Sequence, residues 1–448
     1  MKTIIRYKIR PDVKMEEAET GCVLVSLVDQ KVFTLSPKFD PLGKFLQSDW
    51  RTESEVLETS HPADAYYVLL KLQQANMLDA RVLCDEQVLF AMSPAPPEAA
   101  FETRAPAGKT YRLDRFAYLR RAADALLLES PLTPCRVAVY DADLVTVIHQ
   151  LCAGFAVDGA SAPAALFVRV LLALGIIGKT DVIEENDDPL AFWEFHDLLF
   201  YARTLHGRSM YQIGGTYRFY GQRPSLPLLR PSVSAEVVDL PEPTPALREK
   251  LARPFAAVLD ERASRREISE TPLTIAEVGA FLFAAARIKT LRCDPAHDKD
   301  EVSLRPAPSG GARHALEIYP FIRRCEDIPP GAYRYNPQSH CLERIAASGK
   351  GFEYLLKENP YALIGAAIPQ ITLYISARIG RMAWKYEAIA YKIIHQDLGC
   401  LYQTFYLTGT ALGLFPCALG SVDTALLGET LKIDWRAEPF IGAFTLGK

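Results

Sequence analysis

A chain of 448 residues is too long for one ordinary hydrophobic core and points to two to four domains. With 49% hydrophobic and 23% charged residues it has the profile of a folded globular protein, which excludes a disordered or fibrous chain. The 50 Lys and Arg against 54 Asp and Glu leave a net charge of −4, so no global positive field recruits nucleic acid or anionic lipid.

The first residues, MKTIIRYKIRPDVKMEE, lack the apolar core of a signal peptide. Nine cysteines are scattered singly, with no CxxC pair and no Cys/His cluster at zinc spacing. Together these lead to the expectation of a cytoplasmic protein with reduced, mostly buried thiols and no metal.

In chain order, the N-terminal half reads as a degenerate repeat. In its first copy the alternating segments CVLVSLV and KVFTLS precede a short helix over Pro41–Gln47. A stronger helix follows in YYVLLKLQQANML, where Tyr67, Leu70 and Leu78 are expected to share a face. In the second copy ALLLES and RVAVYD precede DLVTVIHQLCAG and a closing helix APAALFVRVLLALGII. This order suggests two winged-helix-like units. The closing helices carry only Lys71 and Arg169, too few cations for DNA phosphates, so peptide clamping or an architectural role is expected.

Pro-rich stretches at Met92–Gly108 and Gly221–Pro245 read as linkers or surface straps. Between the repeat and the second strap, His196 and His206 are expected to be packing residues on an aromatic-rich segment. Two apolar runs, Ala164–Ile177 and Tyr361–Ala377, are interrupted by Arg169 and by Pro369-Gln370. Neither supplies the roughly 20 apolar residues of a membrane span, and both are expected in the core.

From about Thr244 the chain reads as α+β. A capping box, Thr274 to Glu277, opens a helix through VGAFLFAAARI. ALEIYPFI and ITLYISARI are strand-like, and a long helix over about Ile389–Leu412 repeats Leu398, Leu401, Phe405 and Leu412 before Gly413 stops it.

Four segments in this region carry candidate chemistry. Arg262, Ser264, Arg265 and Arg266 cluster before a helix, and guanidinium forks with a hydroxyl suit a phosphate dianion, although taken alone they read better as a solvated basic cluster. Pro308, Ser309, Gly310 and Gly311 lead into a strand, and such glycines let backbone approach a flat or charged ligand closely. Lys385-Tyr386 pairs two side-chain types that ordinarily titrate near 10 and serve acid–base chemistry only in a special environment. Gly420-Ser421 turns from the long helix toward the next one.

In this order and spacing the segments resemble the SagB-type dehydrogenases, the azoline oxidases of the nitroreductase superfamily. That family shows an ERRS-x-R start, a PSGG-A-x-H-x-L-E-x-Y strand, a Lys-Tyr pair before a helix ending AxGLG, and a GG-F-D turn. Here these stand as Glu261–Arg266, Pro308–Tyr319, Lys385-Tyr386 and Gly420–Asp423. The likeness extends upstream through WEFHDLLFYAR and GGTYRF. It implies an α+β, nitroreductase-like FMN domain at 246–448, preceded by winged-helix-like units at 1–91 and 109–180 and a connector at 181–245. It further implies FMN at a homodimer interface. Arg262, Ser264 and Arg266 would hold its phosphate and ribityl chain, and Pro308–Gly311 with Gly420 and Ser421 would line its ring.

The resemblance makes Lys385 and Tyr386 the catalytic pair, an azoline-containing peptide the substrate, and a ring-forming cyclodehydratase the partner. Departures from the pattern are Ala263 for an arginine, Thr404 for an asparagine and Ser421 for a glycine. Two rival expectations are a general flavin reductase, marked by fast reduction with NAD(P)H, and a non-catalytic scaffold subunit, marked by a colourless protein.

Overall fold

The computed structural model describes the chain except for residues 1–2, 19–20, 29–30, 97–100, 102–107, 180–188, 206–207, 209, 268, 295–299, 348, 363–367 and 421–422. It divides into two compact units, residues 1–213 and 214–448.

In the first unit the strands expected in CVLVSLV and KVFTLS pair with Val13–Ala18 in a three-stranded sheet, while those expected in ALLLES and RVAVYD join a larger sheet that also takes strands from the first copy. Seven antiparallel strands run in the order Arg51–Thr52, Thr3–Ile9, Leu78–Cys84, Gln87–Ser93, Arg136–Val139, Ala125–Glu129 and Tyr118–Ala122. Strand Gln87–Ser93 of the first copy pairs directly with Arg136–Val139 of the second. A continuous cluster of buried side chains runs from Tyr7 to Ile177. The two copies therefore share a core.

Helix Pro62–Gln74 buries Ala65, Val68, Leu69 and Leu72, the i, i+3, i+4, i+7 stripe. The expected face through Tyr67, Leu70 and Leu78 is corrected: Tyr67 is 55% exposed and Leu78 begins the following strand. Tyr67 lies one residue off the buried stripe, about 100° around the helix.

The second unit is built on a seven-stranded antiparallel sheet in the order Val237–Asp239, Cys341–Ala347, Gly331–Asn336, Leu316–Ile322, Ile371–Ala377, Phe440–Gly447 and Phe415–Leu419. Both strand-like segments expected from sequence occupy its centre, and every residue of Ile371–Ala377 is buried. Helix Ala390–Leu412 packs across this sheet through Leu398, Leu401 and Phe405, and ends at Gly413 in the left-handed conformation with φ of 77°. Both halves of the Thr274–Glu277 capping box are formed at the start of helix Ile275–Ala286. Against that helix the Pro241 carbonyl comes so close that a Cβ at Gly279 would collide with it.

The 181–245 connector is divided between the units. Helix Phe195–Arg203 belongs to the first, while Gly214–Gly215 pairs with Tyr386–Glu387 and Val237–Asp239 forms an edge of the large sheet. A proline-rich strap can supply such an edge because only one side of the strand needs backbone donors. No helix among the described residues is long and apolar enough to cross a membrane.

Candidate active site

Four pieces of the second unit converge around Lys385. The short helix Ile379–Ala383 delivers Trp384 and Lys385, and Tyr386–Glu387 then pairs with Gly214–Gly215. The Lys385 carbonyl accepts from Tyr217 N at 3.0 Å. Lys385 Nζ lies 5.3 Å from the Tyr217 ring centre and 5.6 Å from that of Tyr386. Among the described residues no carboxylate pairs with this ammonium. The nearest acid in sequence, Glu387, accepts from Thr216 Oγ1 at 3.1 Å and faces Arg218 at 3.8 Å.

The glycine turn forms the third wall. Gly311 has φ of 60°, and a Cβ there would stand 2.6 Å from Tyr386 Oη and 3.1 Å from Lys385 Nζ. A Cβ at Gly310 would run into Ile393. In this chain the glycines thus let the backbone approach protein side chains, Lys385 and Tyr386 among them, and that contact joins the SGG motif to the Lys-Tyr motif.

The turn is fastened from within. Ser309 Oγ donates to Asp397 Oδ2 at 2.6 Å and accepts from His314 N at 3.0 Å, while Gly310 N donates to Asp397 Oδ1 at 3.0 Å. Asp397 is 6% exposed on the long helix, and burial pushes its carboxyl above the usual range against the pull of these two donors. Two fully buried arginines complete the frame. Arg313 pairs with Asp300 and donates to Ser225 Oγ at 2.9 Å. Arg381 donates only to carbonyls, those of Leu226 at 2.6 Å, Glu301 at 2.8 Å and Arg313 at 2.8 Å. Burial and the neighbouring Arg313 charge bring Arg381 down to about 9. These bonds fix the strap and the turn to the helix that presents Lys385.

Beside Trp384, which donates to the Arg223 carbonyl at 2.7 Å, an open cavity of about 480 Å³ is bounded by Tyr220, Pro224, Leu226 and Glu301.

His314 gives the site a pH signature. Burial, reinforced by Arg305, lowers its imidazole to about 3. An unfolded histidine titrates near 6.5, so the unfolded chain binds the extra proton as pH falls below that value. The stabilisation is complete above pH 6.5 and is lost toward pH 3, at up to about 1.4 kcal/mol per pH unit. Urea unfolding should show a loss of up to about 2 kcal/mol between pH 6.5 and 5 that His314→Asn lacks, asparagine being tolerant of the positive φ there. Equal losses in both proteins would show that His314 titrates normally.

The arginine cluster lies at the other end of the long helix. Ser264 Oγ and Tyr406 Oη are 2.8 Å apart, and Tyr406 Oη accepts from Ala418 N at 2.9 Å. The Arg262 guanidinium is 5.4 Å from the Tyr406 ring, and Arg265 lies over Phe415 at 3.8 Å. Arg262 is half-buried and Arg266 exposed, neither with a carboxylate partner among the described residues. Gly420 follows the strand Phe415–Leu419 that this cluster touches; Ser421 lies outside the described residues.

The sequence-derived residues therefore fall into two groups. Pro308–Gly311 join Lys385 and Tyr386, whereas Arg262, Ser264, Arg266 and Gly420 form a second group. Tyr217, Asp397 and Arg381 carried no role in the sequence reading. Asp397 alone left a trace there, as an acid on the apolar face of a helix.

The chain belongs to the nitroreductase family of oxidoreductases, whose members bind flavin. Residues 259–448 match that family, and a nitroreductase-family protein of Methanocaldococcus jannaschii is 33% identical over 176 residues, 39% of this chain and 83% of its own. More particularly, residues 111–210 match the cyanobactin oxidase ThcOx family. The trifolitoxin-processing protein TfxB of Rhizobium leguminosarum bv. trifolii is 26% identical over 167 residues, 37% of this chain and 44% of that protein. Among solved structures, a chain of the E. coli microcin synthetase McbBCD complex, with truncated pro-MccB17 bound, is similar at 20% identity and a TM-score of 0.36, covering 51% of this chain and 78% of its own.

Proposed function

We propose that the chain is an FMN-dependent dehydrogenase that oxidises azoline rings of a peptide to azoles. The observation that carries this reading is the meeting of Lys385, Tyr386 and the Ser309–Gly311 turn in a chain whose upstream segment matches the cyanobactin oxidases. A bound FMN supplies a two-electron acceptor for hydride. Arg262, Ser264 and Arg266 fit its phosphate, because the two guanidiniums have no carboxylate partner among the described residues and Ser264 supplies a hydroxyl two residues from each in the chain.

An azoline Cα–H is acidified by the adjacent carbonyl and imine. Loss of that proton, with a hydride from the neighbouring ring carbon, leaves an aromatic azole and balances as a two-electron oxidation. Lys385 Nζ, acting as the free amine, takes the proton and becomes the ammonium, while Tyr386 Oη orients the ring against it, which lowers the barrier by position and acid–base assistance. Incubation of the flavin-loaded protein with a thiazoline- or oxazoline-bearing peptide should remove about 2 Da per ring, read by mass spectrometry. An unchanged mass with every azoline peptide tried would end this reading.

The flavin site is completed by a second copy of the chain. Asp397, which holds the glycine turn, and Tyr406, which holds Ser264, are nine residues apart on one helix, roughly 13 Å along its axis and about half a turn around it. One flavin does not reach both faces of a helix within one protomer, and a two-fold axis relieves this. Light scattering should give a dimer, and a stable flavin-loaded monomer would contradict it. The repeat, 1–91 and 109–180, is the part we propose to engage the peptide or a cyclodehydratase, with 246–448 carrying the chemistry. The nitroreductase relative favours one alternative, a general flavin reductase, which differs in being reduced quickly by NAD(P)H.

A further inference from the structure

A cavity of about 240 Å³ opens in the first unit between strand Tyr118–Ala122, the turn Ser130–Cys135, helix Phe195–Arg203 and the side chains of Arg208, Met210 and Tyr211. Four arginines line it: Arg120, Arg136, Arg203 and Arg208. Its one acid, Glu129, is 4% exposed and already spent, receiving Arg120 Nε at 2.5 Å and Arg120 Nη2 at 3.3 Å. Arg136 and Arg203 both approach the same ring, that of Tyr211, at 5.3 and 3.9 Å. Arg136 also donates to the Met210 carbonyl at 2.9 Å. Among the described residues no carboxylate pairs with Arg136, Arg203 or Arg208.

Like charges held this close repel one another, and an anion between them removes that cost. The remaining walls are apolar: Pro131, Pro134, Leu199 and Met210. We infer that this cavity binds a peptide segment through an Asp or Glu side chain, with an apolar neighbour of that residue packed on the proline and methionine wall. Guanidinium forks match a carboxylate bidentately, and a cavity of this size takes one or two side chains and not a run of phosphates. The inference rests on the reading of the chain as a peptide-modifying enzyme and adds what the peptide must carry.

The test uses the full-length, flavin-loaded protein and fluorescence anisotropy. The probe is a fluorescein-labelled, C-amidated hexapeptide of alternating Glu and Phe, compared with its Gln-for-Glu counterpart. The Glu peptide should bind at least about 10-fold more tightly, and Arg203→Glu should erase that preference while the exposed Arg292→Glu keeps it. Arg208→Gln, at the exposed rim, should weaken binding about 3-fold or more and guards against misfolding of the first variant. Equal binding of the two peptides would overturn the inference. So would tighter binding of a labelled single-stranded DNA, or capture only of a Gln peptide with a free C-terminus. Anisotropy is read without turnover, so carboxylate-dependent binding here, together with an unchanged mass of the azoline-bearing peptides, would reject the oxidase reading and leave this site standing.

Discussion

Lys385→Ala and Tyr386→Phe should each leave a yellow, dimeric protein whose azoline turnover falls about 10²–10⁴-fold, the usual share of positioned acid–base groups. Lys385 Nζ is held between the Tyr217 and Tyr386 rings with no carboxylate partner among the described residues, and the Gly311 turn closes over both groups. Nothing in this arrangement gives the ammonium a structural ion pair to keep, so truncating it removes chemistry and little stability. The substitutions lie apart from the Arg262–Arg266 cluster, so flavin content should hold. Single-turnover reduction of the bound flavin by azoline peptide separates this from slow product release. Near-normal rates in both variants would remove the pair from the mechanism.

The second large effect concerns the cofactor. Hydrogen bonds to a charged group are worth about 1.5–3 kcal/mol each, so losing two from a phosphate costs roughly 3–6 kcal/mol, a factor of about 10²–10⁴ in affinity. Arg262→Ala/Arg266→Ala should therefore purify largely colourless. The unfolding transition should change little once flavin is absent from both proteins, because Arg266 is exposed and the half-buried Arg262 guanidinium makes a 5.4 Å cation–π contact with Tyr406 and pairs with no carboxylate among the described residues. Full flavin occupancy in the double variant would show that phosphate is held elsewhere.

Much of this site was legible in the sequence because its parts are local. The Thr274–Glu277 box, the stop at Gly413 and the SGG and Lys-Tyr motifs each depend on residues within a few positions of one another. The rest depends on long-range pairing, which local pattern does not encode. Tyr217 reaches Lys385 only because Gly214–Gly215 pairs with Tyr386–Glu387, more than 170 positions away. Arg381 frames the turn by satisfying carbonyls from three distant segments, a role with no sequence signature. The same holds in the first unit, where Gln87–Ser93 pairs with Arg136–Val139 across the two copies, and no periodicity announces which strands of two repeats become neighbours.

The central claim, that hydride comes from the azoline and not from a nicotinamide, is tested most directly by anaerobic mixing of the flavin-loaded protein with an azoline peptide while visible flavin absorbance is followed. The account predicts bleaching with one azole formed per flavin reduced, and far slower bleaching by NADH or NADPH. Rapid bleaching by a nicotinamide, with none by the azoline peptide, would contradict it.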